Sequence, residues 1–331
     1  MTHNSAAVKP KGPAQPKSFN LEVDLVDMKG KVVIVTGGNK GIGFEAVRHL
    51  LRAGTAKVYL GARSEERARE AIKALHDEGF GQGGKSEVIW LKLDLSDPRE
   101  VKKAAEAFLE KEGRLDVLRS LIFTCIVNNA ADYISPYVLT QTLLPLLKKA
   151  AQEAQSDVRI VNVVSNLYAI VPTPVKFNKP EDFNIRYPYR PFPNAHRYGH
   201  TKLAMILWSR QLQSQLVASE SLPNGITVLT LHPGAVDTFS NRAPPILRGL
   251  AKYAVSLFAV EPEMGAYTSV FAAASKKIRE EHEMYQVDGG VYLVSKPVPG
   301  TRDELNANAK DDKLKENLIK ITEEFLKRIG L

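Results

Sequence analysis

Cysteine is almost absent from the sequence, which has only Cys125 among its 331 residues. A fold held together by internal disulfides is therefore excluded, and a reducing compartment is expected. Cys125 lies in the apolar stretch 121–127, which predicts a buried and unreactive thiol. Long apolar runs are also lacking, since none approaches the roughly 20 residues that a membrane-spanning helix needs. We accordingly expect a cytoplasmic protein.

Residues 1–20 lack a sustained apolar segment and instead combine Pro10, Pro13 and Pro16 with lysines. This composition predicts a disordered tail rather than a signal peptide. The whole chain carries a formal charge of +8, but its basic residues are spread among acidic ones. We therefore expect no nucleic-acid partner and no membrane association. No metal site is expected either.

Short β-branched runs alternate with amphipathic segments from residue 31 onward. Strands are predicted at 31–35, 56–63, 87–93, 121–127, 158–164, 226–231 and 292–294. Helices are predicted at 44–53, 65–78, 99–111, 137–154, 195–217, 246–260, 264–274 and 311–329. This alternation predicts an α/β fold, a Rossmann-type doubly wound parallel sheet with helices on both faces. The expected organisation is one dinucleotide-binding catalytic domain at 21–300, with substrate loops at 172–197 and 239–262, and a helical extension at 301–331.

A glycine-rich turn follows the first predicted strand, with the spacing Gly37-x-x-x-Gly41-x-Gly43. Glycine allows a tight turn and a close approach of the backbone to a ligand. The next helix would present unpaired N–H groups and the positive end of its dipole to the phosphates of a dinucleotide. The predicted contacts in this turn are Gly37, Asn39, Lys40, Gly41, Ile42 and Gly43. A glycine-rich turn that binds no ligand is the alternative.

The second predicted strand ends without the acidic residue that would select an unphosphorylated ribose. Arg63 stands there instead, and Lys40 lies in the glycine turn, so two cations could pair with a 2′-phosphate. The predicted cofactor is therefore NADP(H), with ordinary solvated charges as the alternative. Asp94 and Leu95 follow the third strand and could contact the adenine, although Asp94 could equally cap a helix.

Tyr198 and Lys202 stand four residues apart in the predicted helix 195–217 and so share one face. A free tyrosine has a pKa of about 10, and a nearby ammonium lowers this pKa by favouring the phenolate. Tyr198 could then exchange a proton with an alcohol or carbonyl oxygen, while Lys202 could also bind the nicotinamide ribose. Ser165 follows the strand 158–164, at the sheet edge where ligands bind, and could hold the substrate oxygen. The alternative is an ordinary surface pair of Tyr198 and Lys202.

Together these segments resemble the short-chain dehydrogenase/reductase family, classical type, over roughly residues 30–240. The resemblance is carried by the turn 36–43, Asn-Asn-Ala at 128–130, Ser165, the Tyr198/Lys202 pair and Pro-Gly-Ala-Val-Asp-Thr at 233–238. The sequence around Tyr198 and the insertion at 172–194 are similar to the retinol dehydrogenase-like branch. A lysine in the glycine turn is similar to carbonyl reductases that use NADPH.

The resemblance implies a role for each of these residues. Tyr198 would be the acid/base, Lys202 would lower its pKa and anchor the ribose, and Ser165 would orient the substrate. Asn129 and Ala130 would lie beside the adenosine half of the cofactor. The residues implied near the nicotinamide amide are Pro233, Gly234, Val236 and Thr238.

One region departs from the family pattern. The Asn-Asn-Ala motif normally follows residues 116–118 almost directly, whereas here residues 119–126 intervene. After Ala131 a loop and much of a helix are missing, and Asp132 falls where the family has its fourth catalytic residue, an asparagine. An ionised carboxylate there could pair with Lys202 and raise the pKa of Tyr198 again. We therefore expect cofactor binding to be kept and catalysis to be weakened.

The combined prediction is an NADP(H)-dependent oxidoreductase that interconverts a lipophilic alcohol and its ketone or aldehyde. The alternative is a catalytically impaired NADP-binding protein that acts through protein interactions, because of the compressed region 119–135. Apolar residues of 246–260 could form a lid over a lipophilic substrate, pack as ordinary core, or attach the protein to a membrane, which is the weakest of the three. These residues are Ile246, Leu247, Leu250, Ala254, Leu257 and Phe258. A homo-oligomer is compatible with the sequence.

Overall fold

A computed structural model describes residues 19–81, 86–120, 131–219, 225–234 and 262–331. Several predicted features lie outside these ranges. They are most of the tail 1–20, the strand 121–127 with Cys125, the helix 246–260, nearly all of the loop 239–262, and the cofactor contacts Asn129, Ala130, Val236 and Thr238.

The described strands form one sheet in the order β3-β2-β1-β4-β5-β6-β7-β8. Neighbours from β3 through to β7 are parallel, and β8 runs antiparallel to β7. The strands are β1 Val32–Thr36, β2 Lys57–Ala62, β3 Glu87–Lys92, β4 Val117–Ser120, β5 Val158–Val163, β6 Ile226–Leu231, β7 Val291–Val294 and β8 Thr301–Arg302. The predicted doubly wound parallel sheet is confirmed.

Helices cover both faces of this sheet, and the side chains of β1 show why. Val33 and Val35 point into one apolar core, and Val32 and Ile34 point into the other, so β1 is buried on both sides. The helices are α1 Gly41–Arg52, α2 Glu65–Asp77, α3 Pro98–Lys111, α4 Ala131–Ala151, α5 Pro193–Val217, α6 Pro262–Ala274, α7 Lys276–Glu280, α8 His282–Tyr285, α9 Ala307–Lys310 and α10 Asp312–Arg328. The core of α1, α2 and α6 lies on one face, and that of α3, α4, α5 and α10 lies on the other.

Strand β4 begins earlier in the chain than the apolar run 121–127 predicts. Its start is fixed by Asp116, whose carboxylate accepts hydrogen bonds from the Val32 backbone and from the Arg114 and Lys31 side chains. Helix α4 likewise begins before its predicted start at residue 137. Its first turn carries Tyr133, which is buried and hydrogen-bonded to the Thr322 hydroxyl at 2.9 Å.

Helix α10 packs against α5, on the face that also holds α4. Leu314, Leu318 and Ile321 of α10 are buried in the core shared with these helices. Among the described helices, none combines the length and the apolarity that crossing a bilayer requires.

Candidate active site

The turn between β1 and α1 is tight and packs closely on the sheet. Gly41 has φ +56°, a left-handed conformation that favours glycine. A Cβ on Gly38 would lie 3.0 Å from the Leu60 Cγ and 3.1 Å from the Val35 carbonyl oxygen, so the turn folds tightly onto the sheet. Lys40 precedes α1, and its side chain makes no capping hydrogen bond to the first turn. A lysine side chain has no acceptor, so the N-cap residue leaves the N-terminal N–H groups of α1 open to a phosphate.

The cationic side chains of Lys40 and Arg67 line one cleft beside this turn. Asn39, Lys40, Phe44 and Arg67 line one cleft together with Glu70. Sequence reasoning missed Arg67, although its position three residues after the cap Ser64 places it in the first turn of α2, next to the end of β2. Arg63 is exposed directly after β2 and does not line this cleft.

The structure places Asp94 in a local turn rather than at a helix cap. Its carboxylate accepts a hydrogen bond from the Ser96 backbone N–H at 3.0 Å, and Asp97 is the residue that caps α3. Asp94 is exposed, while Leu95 is half-buried against the core.

Ser165 lies just past the end of β5 and is buried. Its Oγ accepts a hydrogen bond from the Leu167 N–H at 3.3 Å and so caps the 3-10 turn Asn166–Ile170. Because that bond uses a lone pair, the hydroxyl hydrogen can still be donated to a ligand. Pro233 follows the neighbouring strand β6 and is buried, and Gly234 has φ +95°. Parallel strands end at the same edge, so the glycine turn, Ser165 and Pro233 share it.

Helix α5 carries Tyr198 and Lys202 to this edge. Lys202 is buried, and its Nζ donates to the Val163 carbonyl oxygen at 3.3 Å. The same Nζ lies 5.3 Å from the centre of the half-buried Tyr198 ring. Burial lowers the pKa of Lys202 to about 8, and the charge of Asp132 acts in the opposite direction. Lys202 is thus mostly an ammonium at neutral pH, placed between the end of β5 and the phenol ring.

Asp132 is buried in the first turn of α4 and acts electrostatically on Lys202. Its neighbour Tyr133 explains the placement, because that ring packs against Phe183 and against Trp208 of α5. The N-terminus of α4 is therefore held against the helix that carries Lys202.

Gly199 brings α5 into backbone contact with the segment after Ser165. A Cβ at this position would lie 2.3 Å from the Leu167 carbonyl oxygen, so only glycine fits this spacing. Sequence reasoning missed this contact, although an isolated glycine inside a helix is a signal of close packing.

His200 fastens the insertion at 172–194 to α5, which sequence reasoning also missed. Its Nε2 lies 2.9 Å from the Asp182 carbonyl oxygen and must donate, so Nδ1 accepts from the Tyr187 hydroxyl at 2.9 Å. Burial lowers the pKa of His200 to about 4, which keeps the ring neutral. No group of three or more potential metal ligands occurs within the described parts of the chain.

Comparisons with known proteins agree with the fold. The family model described as short chain dehydrogenase matches residues 31–132. A short-chain dehydrogenase/reductase of Armillaria gallica is 38% identical over 329 residues, covering 93% of this chain and 96% of that relative. Retinol dehydrogenase 14 of Mus musculus is 33% identical over 271 residues, covering 76% of this chain and 75% of that relative. The solved Pseudomonas aeruginosa RhlG/NADP active-site complex superposes with a TM-score of 0.59 at 23% identity, over 81% of this chain and 96% of that one.

Proposed function

The chain belongs to the short-chain dehydrogenase/reductase family, and we propose that it is an NADP(H)-dependent oxidoreductase that interconverts a lipophilic alcohol and its ketone or aldehyde. Membership of this family supports an oxidoreductase that uses a nicotinamide dinucleotide. The proposal rests above all on the buried Lys202 ammonium, which lies 5.3 Å from the Tyr198 ring at the edge that also bears Ser165.

In this proposal Tyr198 is the proton donor to the carbonyl oxygen during reduction and the acceptor from the alcohol during oxidation. The charge of Lys202 stabilises the phenolate that remains after donation. Ser165 donates its hydroxyl hydrogen to the same substrate oxygen and holds it near the phenol. Gly199 sets the spacing between the segment of Ser165 and the helix of Tyr198.

A nicotinamide dinucleotide, when bound, supplies or accepts the hydride. The turn 37–43 fits its pyrophosphate, because the turn is tight and its N-cap residue Lys40 places no side-chain cap on the first turn of α1. Lys40 and Arg63 would pair with a 2′-phosphate, and Arg67 lines the same cleft as Lys40. The remaining proposed contacts are Asp94, Leu95, Asn129, Ala130, Tyr198, Lys202, Pro233, Gly234, Val236 and Thr238.

A lipophilic substrate is supported by the mouse relative, since retinol is a lipophilic alcohol. A second candidate function is an NADP-binding protein with impaired catalysis. It is favoured by Asp132, whose carboxylate acts on Lys202 in place of the uncharged amide expected from the family.

The proton donor is tested by Tyr198→Phe, which removes the hydroxyl and keeps the packing of the ring. With a panel of aldehydes and ketones, we expect turnover to fall by roughly a hundredfold or more, while NADPH binding stays nearly unchanged. Tyr267→Phe is the matched control, because this half-buried tyrosine lies on α6, against the opposite face of the sheet. Turnover in Tyr198→Phe close to that of the parent would place the acid elsewhere. A parent chain that binds NADPH without turning over any substrate would favour the second candidate.

The cofactor preference is tested by titrating NADPH and NADH against the full chain. NADPH should bind roughly tenfold more tightly or better, since one charge-assisted contact to the 2′-phosphate accounts for such a factor. Arg63→Ala and Lys40→Ala should each reduce the preference for NADPH over NADH. Adding Arg67→Ala to either variant should reduce this preference further. Arg69→Ala serves as the control, because Arg69 pairs with Glu65 on α2. Equal affinities for the two cofactors would refute the charge argument.

A further inference from the structure

Residues 186–194 form an exposed tip that runs from the insertion into the first two residues of α5. Their sequence is Arg-Tyr-Pro-Tyr-Arg-Pro-Phe-Pro-Asn, and every side chain except Tyr187 is exposed. Tyr189 is 97% exposed and Phe192 is 82% exposed, more than any other large hydrophobic side chain in the described residues. Exposed apolar surface that is contiguous marks interaction sites, and these two rings stand three residues apart on one tip.

Local contacts and prolines restrain the backbone of the tip. Tyr187 turns back into the protein, where its hydroxyl donates to the Nδ1 of the buried His200 at 2.9 Å. The Arg190 N–H donates to the Tyr187 carbonyl oxygen at 3.1 Å and closes a turn. Tyr187 and Phe192 have φ of +52° and +53°, and three prolines restrict the residues between and beside them. The backbone that presents the rings of Tyr189 and Phe192 outward therefore has little conformational entropy left to lose on binding.

The charge of the tip has one sign. It contains Arg186 and Arg190 and no acidic residue. Neither arginine lies within ion-pair distance of an acid in the parts of the chain that the structure describes, and both are exposed. Arginines of this kind remain available for an anionic surface.

We propose that residues 186–194 dock the protein onto an anionic lipid bilayer. The rings of Tyr189 and Phe192 enter the headgroup region, where aromatic side chains are favoured, and Arg186 and Arg190 contact lipid phosphates. A protein partner fits less well, because a stable interface uses roughly 20–30 residues a side and this projecting tip has far fewer. This site lies in a different part of the sequence from residues 246–260, and the exposure of its aromatic rings is not visible in the sequence pattern.

Docking would place the candidate active site beside the membrane. Phe192 is the residue directly before α5, and Tyr198 follows in the second turn of the same helix. A lipophilic substrate dissolved in the bilayer would then reach Tyr198 over a short path. This consequence depends on the proposed function, whereas docking itself does not.

Flotation of the full chain with lipid vesicles tests the proposal. The vesicles contain phosphatidylcholine and phosphatidylserine in equal parts, and pure phosphatidylcholine vesicles provide the comparison. One variant combines Tyr189→Ser with Phe192→Ser, and a second combines Arg186→Gln with Arg190→Gln. The charge control combines Lys320→Gln with Lys327→Gln, two exposed lysines on α10. The apolar control is Val217→Ser, because Val217 is 47% exposed at the end of α5.

The parent chain should float with the mixed vesicles and much less with phosphatidylcholine alone. Partitioning of the arginine variant should fall roughly tenfold or more, because each basic charge near an anionic surface contributes a factor of about five. The aromatic variant should lose binding to a similar degree, and both controls should float like the parent. Circular dichroism and NADPH binding show that each variant is folded, independently of any turnover.

Three results would overturn the proposal. In the first, the parent fails to float with either kind of vesicle. In the second, all variants float as well as the parent, which would place attachment elsewhere in the chain. In the third, the parent is dimeric by sedimentation equilibrium and the aromatic variant is monomeric, which would make the tip an interface between two copies.

Discussion

The proposed chemistry depends on Lys202, and the charge of its ammonium group is sensitive to pH. Burial has lowered its pKa from 10.5 to about 8, so the cation is present below that pH and is lost as the pH rises through it. The stabilisation of the Tyr198 phenolate should disappear over the same interval. The proposed enzyme should therefore lose activity on the alkaline side, near pH 8.

Asp132→Asn separates the effect of the carboxylate from that of burial. The charge of Asp132 raises the Lys202 pKa, so its removal should move the alkaline limb of kcat/KM to lower pH. Below that limb, where Lys202 is still protonated, the unopposed ammonium should favour the phenolate more strongly and raise the rate severalfold. Asp77→Asn on α2 is the control, because Asp77 pairs with the exposed Lys73. An alkaline limb that stays in place would mean that Asp132 does not act on the phenol through Lys202.

At the scale of the elements, the position of α5 against the segment after Ser165 depends on a missing side chain. Helix propensity alone predicts that Gly199→Ala stabilises the protein by about 1 kcal/mol. The packing predicts the reverse, because the new Cβ would lie 2.3 Å from the Leu167 carbonyl oxygen, a backbone atom that cannot rotate away. The sign of the change in unfolding free energy, measured by urea denaturation, decides between them.

If packing dominates, α5 and the turn must separate, and Tyr198 moves relative to Ser165. A displacement of about 1 Å between catalytic groups can cost roughly a hundredfold in rate, so kcat should fall well beyond the loss of stability. Binding of NADPH should change less, because the glycine turn belongs to β1 and α1. A more stable variant with normal kcat would show that the two segments are not held at this distance.

The elements differ in how well the sequence predicts them, for physical reasons. Helix α2 is predicted to within one residue because Ser64 caps it locally, its Oγ accepting from the Arg67 N–H. Strand β8 has only two residues and no periodicity, so nothing in the sequence indicates it. The start of β4 depends on Asp116 and on its partners from distant positions in the chain, which no local pattern contains.

The candidate site shows the same division between local and distant contacts. The glycine turn and the pair Tyr198/Lys202 are short motifs, and the structure brings them to one edge of the sheet together with Ser165. The roles of Arg67 and His200 depend on contacts across the fold, and the motifs do not reveal them. The assigned functions of these residues stay predictions until the variants are measured.

At the scale of the whole molecule, Arg119 is a charge buried in the central strand β4. Its side chain is fully buried on the face that packs against α6, where Nη2 donates to the Ser269 hydroxyl at 2.9 Å. The Nε and Nη1 atoms have no hydrogen-bond partner among the described residues. Burial lowers the pKa of Arg119 to about 9, which still leaves the guanidinium charged at neutral pH. A buried charge without an acidic partner destabilises the folded state.

Arg119→Leu should therefore stabilise the protein. In the sheet Arg119 lies between Val35 of β1 and Val161 of β5, both in the apolar core, so leucine would continue an existing row of hydrophobic side chains. Replacing a buried ion pair by apolar residues is often neutral or stabilising by about 1–4 kcal/mol. A gain within that range is expected for Arg119→Leu in urea denaturation. Arg159→Leu is the contrasting variant, because this equally buried arginine pairs with Asp157 and donates to two backbone carbonyl groups. Its loss should destabilise the fold. If both substitutions destabilise the fold to the same extent, burial of the Arg119 charge does not carry the cost argued from its unpaired Nε and Nη1 atoms.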